Sequence, residues 1–308
     1  MERPFLLVIA GPTASGKSAL AVDLAERWNA EIVGADSQQV YAGFDVGTAK
    51  PPPDVLARVP HHLISVVQPG AQFSAAAYQQ QADDAISDID RRGKRAIVVG
   101  GTGLYIRALL RGIMPAPAAQ PELRAALLEE ARVHGLGVLH ERLARVDPES
   151  AARISVNDAV RIVRALELAE TSGTKASVQR AAHAFAEARY PHALFVLSPP
   201  REAVVQAIEA RTQAMFAAGL LEETEKLLSA GHRDTAPMRS IGYRQAVKVL
   251  AGEMTEAQAI ADVARQTRQY AKRQMTWFRR EPGARFVTPP YDALMTQSAA
   301  LVADGSRF

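Results

Sequence analysis

The chain opens on an unbroken apolar run, Phe5 to Ala10, of buried-strand length, followed by a turn from Gly11 to Gly16. From Lys17 to Trp28 the apolar positions change to helical spacing, with Leu20, Leu24 and Trp28 on one stripe. Three more apolar strands are predicted. Glu31–Ala35 ends at Asp36-Ser37, Lys94–Val99 ends at Gly100-Gly101-Thr102-Gly103, and Ala193–Leu197 ends at Ser198-Pro199-Pro200. Apolar strands alternating with helices imply a parallel sheet covered on both faces. Ligands on such sheets bind at the carboxyl ends of the strands.

Between the third and fourth strands there is no strand signal. Leu123–Val133, Leu136–Val146, Pro148–Ile154 and Asp158–Thr171 all read as helices. This predicts a helical insertion at 115–191, bounded by Pro115 and Pro191, within a core formed by 1–114 and 192–308. The last part is helical as well: Arg201–Ala218, Leu220–Ala230, Ile241–Ala251, and Glu256 to about Arg280, where Pro282-Gly283 stops the helix. The expected fold class is α/β: a parallel sheet core with a mainly helical insertion domain and a helical C-terminal region.

Composition narrows the class. At 48% hydrophobic and 22% charged residues the chain can build a sizeable core, which excludes a fibre or a disordered tail. No apolar run approaches the roughly 18 residues of a membrane span. Phe5–Ala10 is too short for a signal-peptide core, so the expected compartment is the cytoplasm. There is no cysteine, hence no disulfide, thiolate zinc site or catalytic Cys. The net charge is only +3, yet 239–280 holds nine basic and three acidic residues. Such a block suits either a polyanionic partner or a solvated helix face.

Gly11-Pro12-Thr13-Ala14-Ser15-Gly16-Lys17-Ser18 matches the phosphate-loop pattern G-x-x-x-x-G-K-S/T, after a strand and opening a helix as the pattern requires. Backbone N–H groups and the helix N-terminus attract phosphate oxygens, Lys17 adds a full charge, and the Ser18 hydroxyl suits Mg²⁺. A nucleotide hydrolase usually ends a neighbouring strand with a metal-holding aspartate; here that strand ends in Gly100-Gly101-Thr102-Gly103. Asp36-Ser37-Gln38-Gln39-Val40-Tyr41 ends the other strand and reads as a site for a polar planar group. On the last helix Arg265, Arg268, Lys272 and Arg279 share a face, Arg273 and Arg280 form a second stripe, and Tyr270 and Trp277 interleave. A basic ridge with aromatics suits a nucleic-acid backbone; dipole complementation explains only its last turn. Arg161 and Arg164 lie on an insertion helix that Asp158 can cap. The seven histidines show no metal spacing, and His61-His62 read as hydrogen-bonding or structural residues.

Taken in order, GPTASGKS, DSQQVY, GGTGLY, NDAVRIVRALE, RSIGYRQA and KRQMTWFR resemble the tRNA dimethylallyltransferases over about residues 5–287, in their short bacterial form. The resemblance implies a P-loop NTPase-like core. It implies transfer of a dimethylallyl group from its diphosphate to N6 of the adenosine just 3′ of the anticodon, with Mg²⁺ as cofactor and a monomer as the expected state. Its matches place the diphosphate at Gly11 to Ser18, the proposed general base at Asp36, and Thr102 and Arg211 near the reactive centre. The tRNA-contacting segments, which read the anticodon stem-loop, correspond to Asp36, Ser37, Gln38 and Gln39, Thr102, and Arg124. They continue with Val160, Arg161, Ile162, Val163 and Arg164, then Arg239, Gly242, Tyr243 and Arg244. The last is Lys272, Arg273, Gln274, Met275, Thr276, Trp277, Phe278 and Arg279. The chain departs from the family at Val160, where a polar residue is frequent. Two other readings remain open on the residues alone: a small-molecule kinase, which consumes ATP, and an RNA-binding NTPase, which binds tRNA without modifying it.

Overall fold

The computed structural model describes residues 3–113, 117, 119–183, 188–291 and 294–298. Six strands form one parallel sheet: β1 (Leu6–Ala10), β2 (Ala30–Gly34), β3 (His61–His62), β4 (Arg95–Gly100), β5 (His192–Leu197) and β6 (Ala284–Val287). Their order is β3-β2-β4-β1-β5-β6, with Val8 of β1 opposite Val98 and Leu194. The α/β parallel core expected from the sequence is therefore present. Every residue of β1 and β2 is buried, because helices cover both faces. β1 sits between β4 and β5, and the chain leaves it toward β2 on one side and reaches β5 on the other only after β4. A crevice at the carboxyl ends of the strands opens at such a reversal.

Two strands carry no unbroken apolar run. β3 is two residues long and β6 has an exposed centre; each is an edge strand with one neighbour to bond. Glu31, only 2% exposed near the start of β2, is tolerated because Arg92, Lys94 and His62 surround its carboxylate. Those partners hold it far below the usual carboxylate range, the Arg92 hydrogen bonds contributing most.

The chain divides into two compact units, 1–112 with 188–308, and 113–187. In the first, α1 (Lys17–Trp28), α2 (Pro53–Arg58), α3 (Ala75–Arg91) and α4 (Gly103–Arg111) are joined by the later helices α10 (Arg201–Ala217), α11 (Leu220–Ser229), α12 (Tyr243–Leu250) and α13 (Glu256–Phe278). In the second, α5 (Pro121–His134), α6 (Leu136–Val146), α7 (Pro148–Arg153), α8 (Ala159–Ser172) and α9 (Ala176–His183) surround a core of Leu127, Leu139, Leu143, Ile162 and Leu166. Pro115, read as the start of the insertion, lies outside the described residues. Pro191 belongs to the sheet unit, where its carbonyl accepts from Leu6 N at 2.9 Å. Among the described residues no helix is long and apolar enough to cross a membrane.

The strand ends meet without spare room. A Cβ on Gly100 would stand 2.0 Å from the Ala35 carbonyl oxygen, so β4 and the segment after β2 touch backbone to backbone. Gly100→Ala is expected to cost at least about 2 kcal/mol through this collision. Urea unfolding should show a lower midpoint with an unchanged slope; an unmoved midpoint would mean the strand ends can part.

Candidate active site

The phosphate loop runs from the end of β1 into α1. Gly16 occupies the cap position with φ 83°, a left-handed turn natural to glycine, and no side chain among the described residues caps the helix. The first N–H groups of α1 are thus left for an anion. Lys17 is half-buried and donates from Nζ to the Pro12 carbonyl at 3.2 Å. Burial pushes its ammonium down to about 8; the nearby Asp36 carboxylate opposes that shift and Arg211 adds to it. Arg211 reaches in from α10 and donates from Nη1 to Thr13 Oγ1 at 2.9 Å. Its own affinity for the proton is lowered by burial, with Asp36 again opposing.

The turn after β2 brings in the second set of groups. Asp36 Oδ1 accepts from Gln38 N at 2.9 Å, which folds the turn back on itself and fixes the carboxylate. Thr102, at the N-terminus of α4, accepts at Oγ1 from Ser37 N at 3.0 Å, and its own N–H donates to the Ala35 carbonyl at 3.1 Å. Gln39 turns inward, its Nε2 donating to the Thr48 and Ala49 carbonyls at 3.1 and 3.0 Å. Gln38 Oε1 is buried without a hydrogen-bond partner among the described residues. An unpaired buried carbonyl of this kind is costly unless a ligand supplies the donor.

A third element closes the site from above. Gln274 of α13 is buried; its Oε1 accepts from Thr13 N at 2.9 Å and its Nε2 donates to the Gly101 carbonyl at 2.9 Å. Tyr270, one turn earlier, lies beside Thr102, Gln274 and Asp36, and burial pushes its phenol up to about 12, with Asp36 adding to the effect. Tyr291 donates to the Ser15 carbonyl at 3.0 Å. Neither Tyr291 nor the Gln274 bridge is visible in the sequence, because each partner lies more than 250 residues away from the loop it holds.

Two cavities meet here. The larger, about 290 Å³, is lined by Gln38, Gly242, Arg244, Tyr270 and Gln274 among others; the smaller, about 70 Å³, runs past Ser18. Both are bounded by Thr13, Lys17, Asp36 and Arg211. Among the described residues no group of three or more His, Asp or Glu could cage a metal. The cleft offers the Ser18 hydroxyl and the Asp36 carboxylate. That donor set fits Mg²⁺, which keeps most of its waters and takes phosphate oxygens rather than a protein cage.

The remaining sequence-predicted residues divide by exposure. Lys272, Arg273, Thr276 and Arg279 are exposed on α13, and Met275 is half-buried. Lys272, Met275 and Arg279 line a separate groove of about 630 Å³ with Arg265 and Arg268. Arg265 and Arg268 are already paired, with Asp262 and Glu209. Trp277 lies under the Arg107 guanidinium, 4.4 Å from its ring centre, and Phe278 is core. Tyr243 is core too, edge-on to Phe44 and bonded to Glu223, while Arg239 and Arg244 are exposed. Phe278 and Tyr243 can support a ligand surface from beneath, whereas Trp277 is half-buried.

In the helical unit Val160 is 81% exposed, Arg161 is exposed, and Ile162 and Val163 are core. Asp158 caps α8 through Arg161 N at 3.1 Å. Arg124 forks onto the buried Glu167 with two 2.9 Å bonds, and Arg164 pairs with the same carboxylate. His61 and His62 are both hydrogen-bonded, to the Val59 carbonyl at 2.7 Å and to Glu31 at 2.8 Å.

A family model described as IPP transferase matches residues 39–281. A tRNA dimethylallyltransferase of Myxococcus xanthus is 56% identical over 294 residues, covering 96% of each chain. One of Geobacter sulfurreducens is 48% identical, covering 94% of each. Among solved structures, a tRNA isopentenylpyrophosphate transferase from Bacillus halodurans is similar with a TM-score of 0.70 at 34% identity, covering 99% of this chain and 96% of that one. A eukaryotic dimethylallyltransferase acting on tRNA gives 0.81 at 26% identity, covering 98% and 79%.

The Lys17 ammonium sets a pH limit on anion binding. Its charged form dominates below about 8 and is lost above it. Affinity for inorganic diphosphate with Mg²⁺ should therefore fall as pH rises through that value. Calorimetry across pH 7 to pH 9.5, roughly one unit or more to either side, should show the fall in the native chain and a flatter profile in Lys17→Ala. Identical profiles would remove Lys17 from the anion site.

Proposed function

The chain belongs to the IPP transferase family, and on that footing we propose that it transfers the dimethylallyl group of dimethylallyl diphosphate to N6 of the adenosine just 3′ of the anticodon in tRNA, giving N6-isopentenyladenosine and diphosphate. The observation that carries this reading is the meeting of two cavities at Thr13, Lys17, Asp36 and Arg211. A transfer between two substrates needs two compartments with one shared point, and an adenine and a phosphate ester arriving from the two sides would touch only there.

Lys17, Asp36 and Arg211 at that point, and Gln38 beside it, each have a task. The N6 amine attacks the allylic C1; the N6–C1 bond forms, the C1–O bond breaks, and its electron pair leaves on the diphosphate. An exocyclic amine is a weak nucleophile, so holding it in line with C1 matters most. Gln38 Oε1, buried and unpartnered, supports base recognition by offering an acceptor to the adenine edge. Lys17, Arg211 and the α1 N-terminus stabilise charge growing on the leaving group. Asp36, whose Oδ1 is anchored by Gln38 N, accepts the N6 proton. Mg²⁺, held by Ser18 and the diphosphate oxygens, would neutralise further charge on the leaving group. The adenosine must leave its stack to enter the larger cavity.

The anticodon stem-loop would lie along the exposed basic side chains on and just after α13, where Lys272, Arg273, Arg279 and Arg280 pair with no acid among the described residues. On the helical unit Arg161 is exposed beside Asp158, while Arg124 and Arg164 are held on Glu167.

Asp36→Asn separates general base from metal ligand. The amide keeps size and hydrogen bonding but cannot take the proton, so single-turnover transfer should slow by about 10²- to 10⁴-fold at every Mg²⁺ concentration. Recovery of a near-native rate at high Mg²⁺ would move Asp36 to the metal. The ridge is tested by salt. Lys272→Ala combined with Arg279→Ala should weaken tRNA binding and reduce its salt dependence by about two phosphate contacts; an unchanged slope returns both residues to solvent.

A further inference from the structure

Behind the larger cavity one carboxylate joins two of its walls. Gly47 and Thr48 line the cavity from the segment after the Asp36 turn, and Ser240, Ile241, Gly242 and Arg244 line it from the start of α12. Glu223 of α11 lines neither this cavity nor the smaller one; with Asp45 and Val46 it borders a separate surface groove. Its carboxylate accepts from three successive backbone N–H groups: Asp45 N at 3.1 Å and Val46 N at 2.9 Å on Oε2, and Gly47 N at 3.4 Å on Oε1. Tyr243, the first residue of α12, donates from its hydroxyl to the same Oε1, and that hydroxyl accepts from Gly47 N at 3.1 Å. Burial pushes the phenol far above its ordinary range, with Glu223 adding to the shift, so the hydroxyl keeps its proton to donate.

The two segments touch at Gly47. A Cβ there would stand 2.5 Å from Tyr243 Cε2 and 2.9 Å from Leu220 Cδ1, so only glycine lets the turn lie against the phenol ring. The turn is also tied forward. Thr48 Oγ1 donates to the Phe44 carbonyl at 2.6 Å and closes it, and the Thr48 and Ala49 carbonyls receive the Gln39 amide. Gln38 and Gln39 supply the N–H groups that fix Asp36 Oδ1. One set of bonds thus runs from Glu223 through 45–49 to the Asp36 turn, and another runs through Tyr243 to the Gly242 wall. Water could satisfy the N–H groups of a surface turn; here a charged acceptor takes them, and such bonds are roughly twice as strong as neutral ones. The phosphate loop is held by different groups, Gln274, Tyr291 and Arg211.

We propose that Glu223 is a positioning residue for the acceptor: by clamping the 45–47 turn to Tyr243 it fixes the gap in which the planar base lies, and it acts on the acceptor side alone. The proposal rests on the reading of the larger cavity as the seat of the adenine. The carboxylate matters because it accepts several N–H bonds at once. Glu223→Gln keeps the size but puts an NH₂ group where one oxygen accepts. The wall then shifts, and a misplacement of about 1 Å costs on the order of a hundredfold in a reaction that depends on alignment.

The intact protein with Mg²⁺ is tested on two anticodon stem-loop RNAs, one with adenosine 3′ of the anticodon and one with fluorescent 2-aminopurine in its place. With dimethylallyl diphosphate and the first RNA, Glu223→Gln should lower the single-turnover rate constant at saturating enzyme at least about tenfold. Affinity for inorganic diphosphate should be unchanged. On the second RNA, time-resolved anisotropy should show the base held fixed by the native chain and rocking in the variant. Tyr243→Phe keeps the ring and removes the hydroxyl; it should loosen the base too, and the double variant should be no slower than the slower single, as for one unit. A loss of folded protein alone raises the enzyme concentration needed for saturation and leaves the rate constant unmoved. That result overturns the proposal, as does a base held equally firmly in Glu223→Gln, or additive losses in the double variant. Weakened diphosphate binding overturns the confinement to the acceptor side. If the native chain seats the base but transfers nothing, the reaction proposed above fails and base mobility still decides Glu223. If the native chain leaves the base stacked, the acceptor cavity fails and Glu223 with it.

Discussion

One buried amide joins the parts of this site. Gln274 accepts from the phosphate loop at Thr13 N and donates to the end of β4 at Gly101 O. Only a side chain with both a donor and an acceptor on one plane can do this; glutamate would lose the donor and lysine the acceptor. The same helix turn carries Lys272 and Arg273 outward. The surface offered to a polyanion and the loop offered to a diphosphate are therefore two sides of one rigid element.

The electrostatics follow from that enclosure. Two cations, Lys17 and Arg211, share one carboxylate, Asp36, at the junction of the two cavities. Both cations lose part of their hold on the proton, burial acting first in each case and Asp36 against it. The site thus carries an excess of positive charge that an incoming diphosphate relieves. Positive charge concentrated where negative charge will develop is an arrangement that favours the leaving group over the bound ester.

Much of this was legible in the chain, for reasons that differ by element. β1, β4 and β5 announce themselves because strands buried on both faces must be apolar throughout. The phosphate loop is local, so its eight residues state both conformation and chemistry. β3 and β6 were hidden because edge strands need no apolar run. Pro191 lies with the sheet unit through a bond that is not local: its carbonyl accepts from Leu6 N, far away in sequence. Of the site, Lys17, Asp36, Thr102 and Arg211 come together as the motif order suggested. Phe278, Tyr243, Ile162 and Val163, read with their motifs as contact residues, prove to be the packing beneath those surfaces. A motif records which segment matters, while burial decides which of its side chains can reach a ligand.

The junction between the two cavities has a consequence for selectivity against water. In the reaction proposed above, an allylic carbon at Asp36 would face whatever occupies the larger cavity. With adenine seated, that neighbour would be an amine; with the cavity vacant, it would be solvent, and an Asp36 acting as the proposed base could accept a proton from either. The base is then both nucleophile and stopper, and the fidelity of the reaction depends on how completely a planar ring fills the space above one carboxylate.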